Sequence, residues 1–243
     1  MNISTKINSI PLLEAILKVW TSKLKVRKKA DDVWKDLPWK KFHRQVFRLQ
    51  RAIFKAQKNG NKAKVKRLQR LLLRSRAAKA LAVRQVTQLN TGKKTVGVDG
   101  KTALSTKERL ALCQKLHQKW EKWQHQKLRR VNIPKSNGKT RGLGIPTIAD
   151  RAWQGLLKYA AEPAYEATAG ERSYGFRPGR SAHDAQKLIF NNLNSEVNGK
   201  DKLVLETDIS KCFDKINHKA ILKGVVLSQR RHKWIEESNK SRC

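Results

Sequence analysis

Apolar side chains recur at alternating steps of three and four residues along two segments, which is the spacing of an apolar stripe on a helix. The first stripe comprises Trp39, Phe42, Val46, Leu49 and Ile53, and the second comprises Val65, Leu68, Leu72 and Ser75, continuing towards Leu81 and Ala82. Asn59-Gly60-Asn61 separates them, with Gly60 ending one helix and Asn61 capping the next. The pattern predicts a helical hairpin with an apolar seam.

The rest of the chain predicts further helices and two regions of strand. Helices are expected over residues 11–25, 105–127, 147–167 and 182–193, the second opened by a capping box of Ser105 and Glu108. Residues 128–135 and 140–146 flank an Asn-Gly turn and predict a β-hairpin. The β-prone run Leu203-Val204-Leu205 predicts a strand that ends near Asp208.

Charge points to a nucleic-acid partner. The 55 Lys and Arg residues outnumber the 19 Asp and Glu residues, which leaves a net charge of +36 and favours a polyanion. From Leu37 to Val98 there are eighteen Lys or Arg residues and no acidic residue. A solvated face usually mixes both signs, so this acid-free block predicts phosphate contacts. The candidate contacts are Lys40, Lys41, Arg44, Arg48, Arg51, Lys55, Lys62, Lys66, Arg67, Arg70 and Arg74.

Two loops carry further candidate contacts. The loop from Ser173 to Ser181 interleaves aromatic residues with Arg177 and Arg180, a mixture that favours base stacking and phosphate binding. The hairpin tip carries Lys135, Lys139 and Arg141, whose donors suit a triphosphate. The alternative for this tip is a surface hairpin with charges typical of a turn.

A carboxylate at the end of a strand can hold a divalent metal that activates a 3′-hydroxyl. Asp208 occupies such a position, and Phe213 and Asp214 follow it. No later Tyr/Phe-x-Asp-Asp turn precedes Cys243, so a two-metal site is expected to be incomplete.

The three cysteines are too far apart to indicate a zinc site or a disulfide framework, which is consistent with a reducing compartment. The apolar run at 10–20 is too short and mixed to span a membrane.

Four segments in order resemble the group II intron-encoded reverse transcriptases, the intron maturases. They are the basic block 39–100 with its repeated Arg-Leu-Gln and its closing Gly97-Val98-Asp99-Gly100, the segment Ile133–Arg151, the segment Ser173–Asp184 and the segment Asp208–His218. The resemblance implies an α+β fold, in which a basic helical N-terminal extension precedes fingers and an incomplete right-hand polymerase palm.

The resemblance also implies roles for single residues. Asp208, assisted by the carbonyl of Ile209, would bind Mg²⁺. Lys135 and Arg141 would hold the triphosphate, and Phe213 would lie under the sugar and exclude a 2′-hydroxyl. The basic hairpin would bind structured intron RNA, and DNA is a further candidate partner.

From about Lys223 the family pattern is lost. The expected domains are an N-terminal helix and linker (1–36), the RNA-binding extension (37–102), fingers (103–200), a partial palm (201–222) and a divergent tail (223–243). The expectation is a truncated maturase, cytoplasmic in a bacterium or organellar, that binds intron RNA without polymerising alone. The alternatives are a non-catalytic RNA-binding splicing factor, a non-functional relic, or one half of a split polymerase completed by a C-terminal fragment.

Overall fold

The computed structural model of the chain describes residues 30–102, 104–134, 136, 138–194, 203–210, 215–217 and 219–221. The helix predicted at 11–25, the candidate residues Lys135 and Phe213, and the tail from 223 lie outside the described residues. No α-helix of the described part is both long and apolar enough to cross a membrane.

The described residues form an α+β fold dominated by helices. The helices are α1 (Ala30–Lys35), α2 (Trp39–Lys58), α3 (Lys62–Arg74), α4 (Arg76–Arg84), α5 (Thr106–Lys119), α6 (Ile148–Glu166) and α7 (Ala182–Leu193). The strands β1 (Arg129–Pro134) and β2 (Thr140–Ile145) pair antiparallel, with Val131 opposite Leu143. A π-helical turn over Gln85–Leu89 extends α4.

The predicted helical hairpin is confirmed in α2 and α3. Gly60 adopts a φ of 70°, a left-handed conformation that glycine tolerates best, and ends α2. The side chain of Asn61 then caps α3 by accepting a hydrogen bond from the backbone N–H of Lys64 at 2.9 Å. Ile53 and Val65 are fully buried in the seam between the two helices. The local sequence therefore determines this hairpin.

The second predicted stripe divides into two helices. Ser75 interrupts it with an extended backbone and caps α4 by accepting from the N–H of Ala78. The break changes the direction of the chain, so that α4 runs through the centre of the fold. Every residue of α4 from Ala77 to Val83 is buried there. Four of these seven residues are alanines, whose small side chains allow α2, α5 and α6 to pack around α4.

Helix α6 lies across the hairpin and the central helix. Pro163 lies inside α6 and has no N–H, so the carbonyl of Tyr159 lacks its usual helical partner. The side-chain amide of Gln50 on α2 donates to that carbonyl at 3.2 Å. The amide of Gln69 on α3 donates to the carbonyl of Ala160 at 3.1 Å. These two bonds tie both arms of the hairpin to α6.

Two predictions were wrong, one about the length of a helix and one about the presence of a strand. Helix α5 ends at Lys119 instead of 127, because the chain tightens into a 3-10 turn over Trp120–Lys122 and becomes extended at Trp123. Trp120 and Trp123 are both buried in the core. Leu203-Val204-Leu205 forms no strand, and each side chain is at least 73% exposed. A strand needs a neighbour to satisfy its backbone groups, and none of the described segments pairs with this one.

A buried lysine makes stability depend on pH. Lys79 on α4 is 1% exposed, and its Nζ lies 3.3 Å from Nδ1 of His117. Burial lowers the pKa of Lys79 to about 8, Glu121 opposes this, and Arg76 and Arg74 add to it. The folded pKa lies below the usual lysine value of about 10.4, so the unfolded chain binds more protons between these values. The free energy of unfolding should therefore rise with pH across that window.

We expect Lys79→Met to raise stability at neutral pH, since no charge is then desolvated on folding. The variant should also lose the extra gain in stability between pH 8 and pH 10 that the parent shows. Urea denaturation at a series of pH values measures both effects. Lys64→Met, at an exposed lysine of α3, is the matched control. Parallel pH profiles for Lys79→Met and the parent chain would contradict the expectation.

Candidate nucleic-acid interface

The predicted phosphate contacts of α2 and α3 lie on the protein surface. On α2, Arg44, Arg48, Arg51 and Lys55 recur every three or four residues, on the side of the helix away from Val46 and Ile53. On α3 a second stripe of exposed cations recurs every four residues, at Lys62, Lys66, Arg70 and Arg74. Eleven exposed cations of the two helices are the contacts that the sequence predicted, and they are named here the basic face: Lys40, Lys41, Arg44, Arg48, Arg51, Lys55, Lys62, Lys66, Arg67, Arg70 and Arg74.

Among the described residues, acidic side chains neutralise little of the basic face. The block from Leu37 to Val98 contains no acidic residue, so an acidic partner must come from another segment. Arg74 has one such partner, Glu121, at 3.9 Å, and both side chains are more than half exposed. An exposed pair of this kind contributes little attraction in water. The basic face therefore keeps a positive potential suited to a polyanion.

Arg177 departs from the prediction that it contacts RNA. It is 7% exposed, and its Nε donates to Oε2 of Glu166 at 3.0 Å. Its Nη2 donates to the other carboxylate oxygen, and Nη1 donates to the carbonyls of Gly170 and Ser173. The hydrogen bonds with Arg177 lower the pKa of Glu166. Arg177 therefore organises the loop after α6 and presents no free donor fork to a phosphate.

The remainder of that loop keeps an exposed aromatic and a partly exposed cation. The guanidinium of Arg180 lies over the ring of Tyr174 at 5.2 Å and donates to the carbonyl of Glu171. Phe176 has a φ of 57° and is fully exposed. Arg180 and Phe176 are therefore accessible for the predicted contact to nucleic acid.

Of the three candidate nucleotide-binding residues, Arg141 is the one that lies among the described residues. Arg141 lies on β2 opposite Ile133 and is exposed, as is Lys139. Asp208 and Ile209 are also exposed, on the segment that forms no strand. No hydrogen bond or ion pair joins Arg141 to Asp208 among the described residues. The predicted triphosphate site stays a prediction.

Reverse transcriptases generally use Mg²⁺, which needs oxygen ligands in near-ideal octahedral geometry. The described residues contain no group of three or more His, Cys, Asp or Glu side chains that could hold a metal ion. Asp208 and Glu206 are both exposed on the same irregular segment, and no third such ligand is grouped with them among the described residues. These residues do not fit a magnesium centre, so no chemical step through the metal can be derived from them.

The sequence did not reveal how Asp150 and Arg151 support this part of the molecule. Asp150 is 2% exposed and accepts from Nε1 of Trp123 at 2.8 Å and from Oγ1 of Thr147 at 2.8 Å. Nδ1 of His125 lies 3.1 Å away, and the N–H of Gln126 donates at 3.2 Å. Only the Thr-x-x-Asp spacing at the start of α6, typical of a helix cap, is visible in the sequence.

Arg151 fixes the glycine-punctuated loop that ends the basic block. Its side chain donates to the carbonyl of Pro146 at 2.9 Å and to those of Gly92 and Thr95. Gly97 packs against the backbone of Thr147, where a Cβ would come within 2.7 Å of the Cα atom. The loop therefore uses its carbonyls to hold an arginine, and it is a structural connection between the basic block and α6.

Models of two known protein families match parts of this chain. The N-terminal domain of reverse transcriptase matches residues 34–116, which include the basic face, and the reverse transcriptase (RNA-dependent DNA polymerase) family matches residues 133–238. Maturase-like protein 1 of Euglena gracilis is 36% identical over 188 residues, which are 77% of this chain and 41% of that protein. Protein YkfC of Escherichia coli K12 is 39% identical over 163 residues, 65% of this chain and 43% of YkfC.

The group II intron-encoded protein LtrA of Lactococcus lactis is 40% identical over 98 residues, 40% of this chain and 16% of LtrA. The chain thus spans about two-fifths of the length of the Euglena and Escherichia relatives. Two family models in sequence order and relatives of both maturase and intron-encoded type agree on one assignment. The chain belongs to the family of group II intron-encoded reverse transcriptases and maturases.

Proposed function

We propose that this chain binds structured group II intron RNA through the basic face and acts in intron splicing as a maturase does. The observation that carries the proposal is the pair of exposed cationic stripes on α2 and α3, in a block without a single acidic residue. The helices that present the stripes are anchored on the core, because Gln50 and Gln69 bond to α6. A cationic surface on anchored helices suits the irregular phosphate backbone of folded RNA.

Titration of the purified chain with folded intron RNA over a salt series tests this function. Each phosphate contact releases counterions, so the logarithm of the affinity should fall steeply and linearly with the logarithm of the salt concentration. Fluorescence anisotropy reports the affinity at each salt concentration. An affinity too weak to detect at low salt would contradict the function.

We also propose that the chain alone does not polymerise DNA. Arg141 could bind part of a nucleotide, yet binding does not by itself lower the barrier to phosphoryl transfer. That step needs metal ions clamped by several carboxylates, whereas Asp208 belongs to no group of three or more possible ligands among the described residues. The domain assignment of fingers at 103–200 and partial palm at 201–222 belongs to the same proposal.

We expect no primer extension when the purified chain is supplied with an RNA template, a DNA primer, nucleotides and Mg²⁺. Gel analysis of a labelled primer measures the extension. The same assay with Asp208→Ala excludes a contaminating polymerase. Extension that disappears in the Asp208→Ala protein would mean that further carboxylates complete the site and that the chain is an active polymerase.

A second candidate function is one part of a split polymerase that another polypeptide completes. Exposed apolar side chains favour it: Ile189 and Phe190 on α7 are 59% and 63% exposed, and Leu203 is fully exposed. Surfaces of this kind are typical of protein contacts. Primer extension that arises only after addition of a C-terminal family fragment would support this candidate.

Under either function, the proposed place of action is the bacterial cytoplasm or an organelle, and DNA is a further candidate partner.

A further inference from the structure

A groove of about 400 Å³ opens beside the basic face, between α2, α4 and α6. Its apolar floor comes from Val46 and Leu81, each 4% exposed. The remaining lining residues are His43, Arg44, Phe47, Gln50 and Tyr159. The groove is within the size range of pockets that hold small ligands, and it combines an apolar floor with a few polar groups.

The groove has fixed walls. Gln50 on α2 and Tyr159 on α6 are joined by the hydrogen bond that Pro163 makes possible, from the Gln50 amide to the Tyr159 carbonyl at 3.2 Å. Burial raises the pKa of Tyr159, and the charge of Glu162 adds to this effect. The phenol therefore keeps its proton and remains a hydrogen-bond donor at neutral pH. A ligand would meet a preformed site.

Phe47 is the unusual residue of the groove. Its side chain is 60% exposed, although Arg44, Arg48 and Arg51 surround it on the outer side of α2. The guanidinium of Arg51 lies 6.0 Å from the centre of the ring. An aromatic ring with one open face and cations beside it is the usual platform on which an unpaired base stacks.

We propose that this groove binds an unpaired nucleobase of the RNA that the basic face holds. The base would stack on Phe47 and enter the groove, while Arg44 would contact the adjoining phosphate. Charge complementarity selects this occupant, because Arg44 lines the groove and belongs to the basic face, in a segment without acidic residues. The inference rests on the proposed RNA binding and adds which part of the RNA the protein recognises.

Two RNA probes test the proposal: a hairpin with an uninterrupted stem, and the same hairpin with one unpaired adenosine in the stem. The parent chain should bind the second RNA more tightly. Phe47→Ala should weaken binding of the RNA with the unpaired base by at least about fivefold, the lower end for loss of one base–aromatic stack. Its affinity for the uninterrupted stem should change little, since no phosphate contact is lost.

Two variants serve as controls. Leu71→Ala removes another exposed apolar side chain, 55% exposed on α3 and outside the groove, and should leave the preference unchanged. Phe47→Trp keeps an aromatic face and should retain the preference. Circular dichroism melting checks the fold of each variant; Phe47 is mostly exposed, so its loss should not unfold the chain.

The results separate the inference from the function on which it rests. If Phe47→Ala binds both RNAs as the parent does, or loses affinity equally for both, the base-binding groove is wrong while RNA binding stands. If the parent chain binds neither RNA, the proposed function itself fails. A selective loss with the unpaired adenosine, restored by Phe47→Trp, would support the inference.

Discussion

A quadruple glutamine variant of the basic face is expected to lose affinity for structured RNA by on the order of 100-fold or more at low salt. The variant replaces Arg44, Arg48, Lys66 and Arg70, two exposed residues from each stripe. Each lost phosphate contact should reduce the steepness of the salt dependence by about 0.7 to 0.9. The slope should therefore fall by about three if all four side chains contact phosphate. Anisotropy titrations over a salt series measure both quantities.

A matched variant separates local contacts from total charge. Replacing Lys107, Lys119, Lys122 and Lys127 by glutamine removes the same charge from exposed positions in and after α5. Helix α5 packs against α1 and α4 and lies outside the hairpin that carries the basic face. This variant should lose far less affinity and keep the parent slope. Equal losses in the two variants would mean that RNA responds only to net charge, and the basic face would not be the interface.

The largest expected loss of stability follows from removal of the buried carboxylate at the start of α6. Asp150→Ala would leave the donors of Trp123, His125 and Thr147 without their acceptor inside the core. Breaking one side of a buried charged network costs roughly 3 to 5 kcal/mol. A loss of this size is a large part of the free energy of unfolding of a single domain, which is about 5 to 15 kcal/mol. Urea denaturation followed by circular dichroism would measure it.

The same carboxylate should make the fold acid-sensitive. Burial by itself would raise the pKa of Asp150, but hydrogen bonds from His125, Trp123, Thr147 and the Gln126 amide outweigh burial and lower it. A group whose pKa is lower in the folded state stabilises the fold above its usual pKa of about 3.9 and loses this effect as pH falls. The parent chain should therefore lose more stability below pH 4 than Asp150→Asn does.

Glu162→Gln provides the control for loss of a carboxylate. Glu162 pairs with Lys158 at 3.3 Å on α6, and the lysine is 66% exposed. Surface pairs of this kind contribute about 1 kcal/mol or less. A cost for Asp150→Ala no larger than that of Glu162→Gln would contradict a structural role for the buried network.

The local sequence was sufficient to predict those features that depend on interactions between residues close together in the chain. The turn at Gly60, the Asn61 cap, the capping box of Ser105 and Glu108, and the β-hairpin all form as predicted. Each depends on backbone conformation or on hydrogen bonds within a few residues. The same holds for the exposure of the basic face, because a charged residue that alternates with an apolar stripe must face water.

The apolar stripe alone did not predict that Ser75 divides the second helix into α3 and α4. An apolar period continues through it, and only packing reveals that α4 is buried on every side. The strand expected at Leu203–Leu205 failed for a related reason, since strand propensity has no effect without a neighbour to pair with.

By itself, the sequence determined the hairpin, its cationic surface and the family to which the chain belongs, because spacing, charge and motif order are properties of the chain. Tertiary structure alone decided that Arg177 is buried on Glu166 and that Asp150 organises a core network. It also created the groove at Phe47, whose lining comes from α2, α4 and α6. Residues more than 100 positions apart, such as Gln50 and Tyr159, meet only when the helices pack. No local pattern records which distant donor will satisfy a given carbonyl.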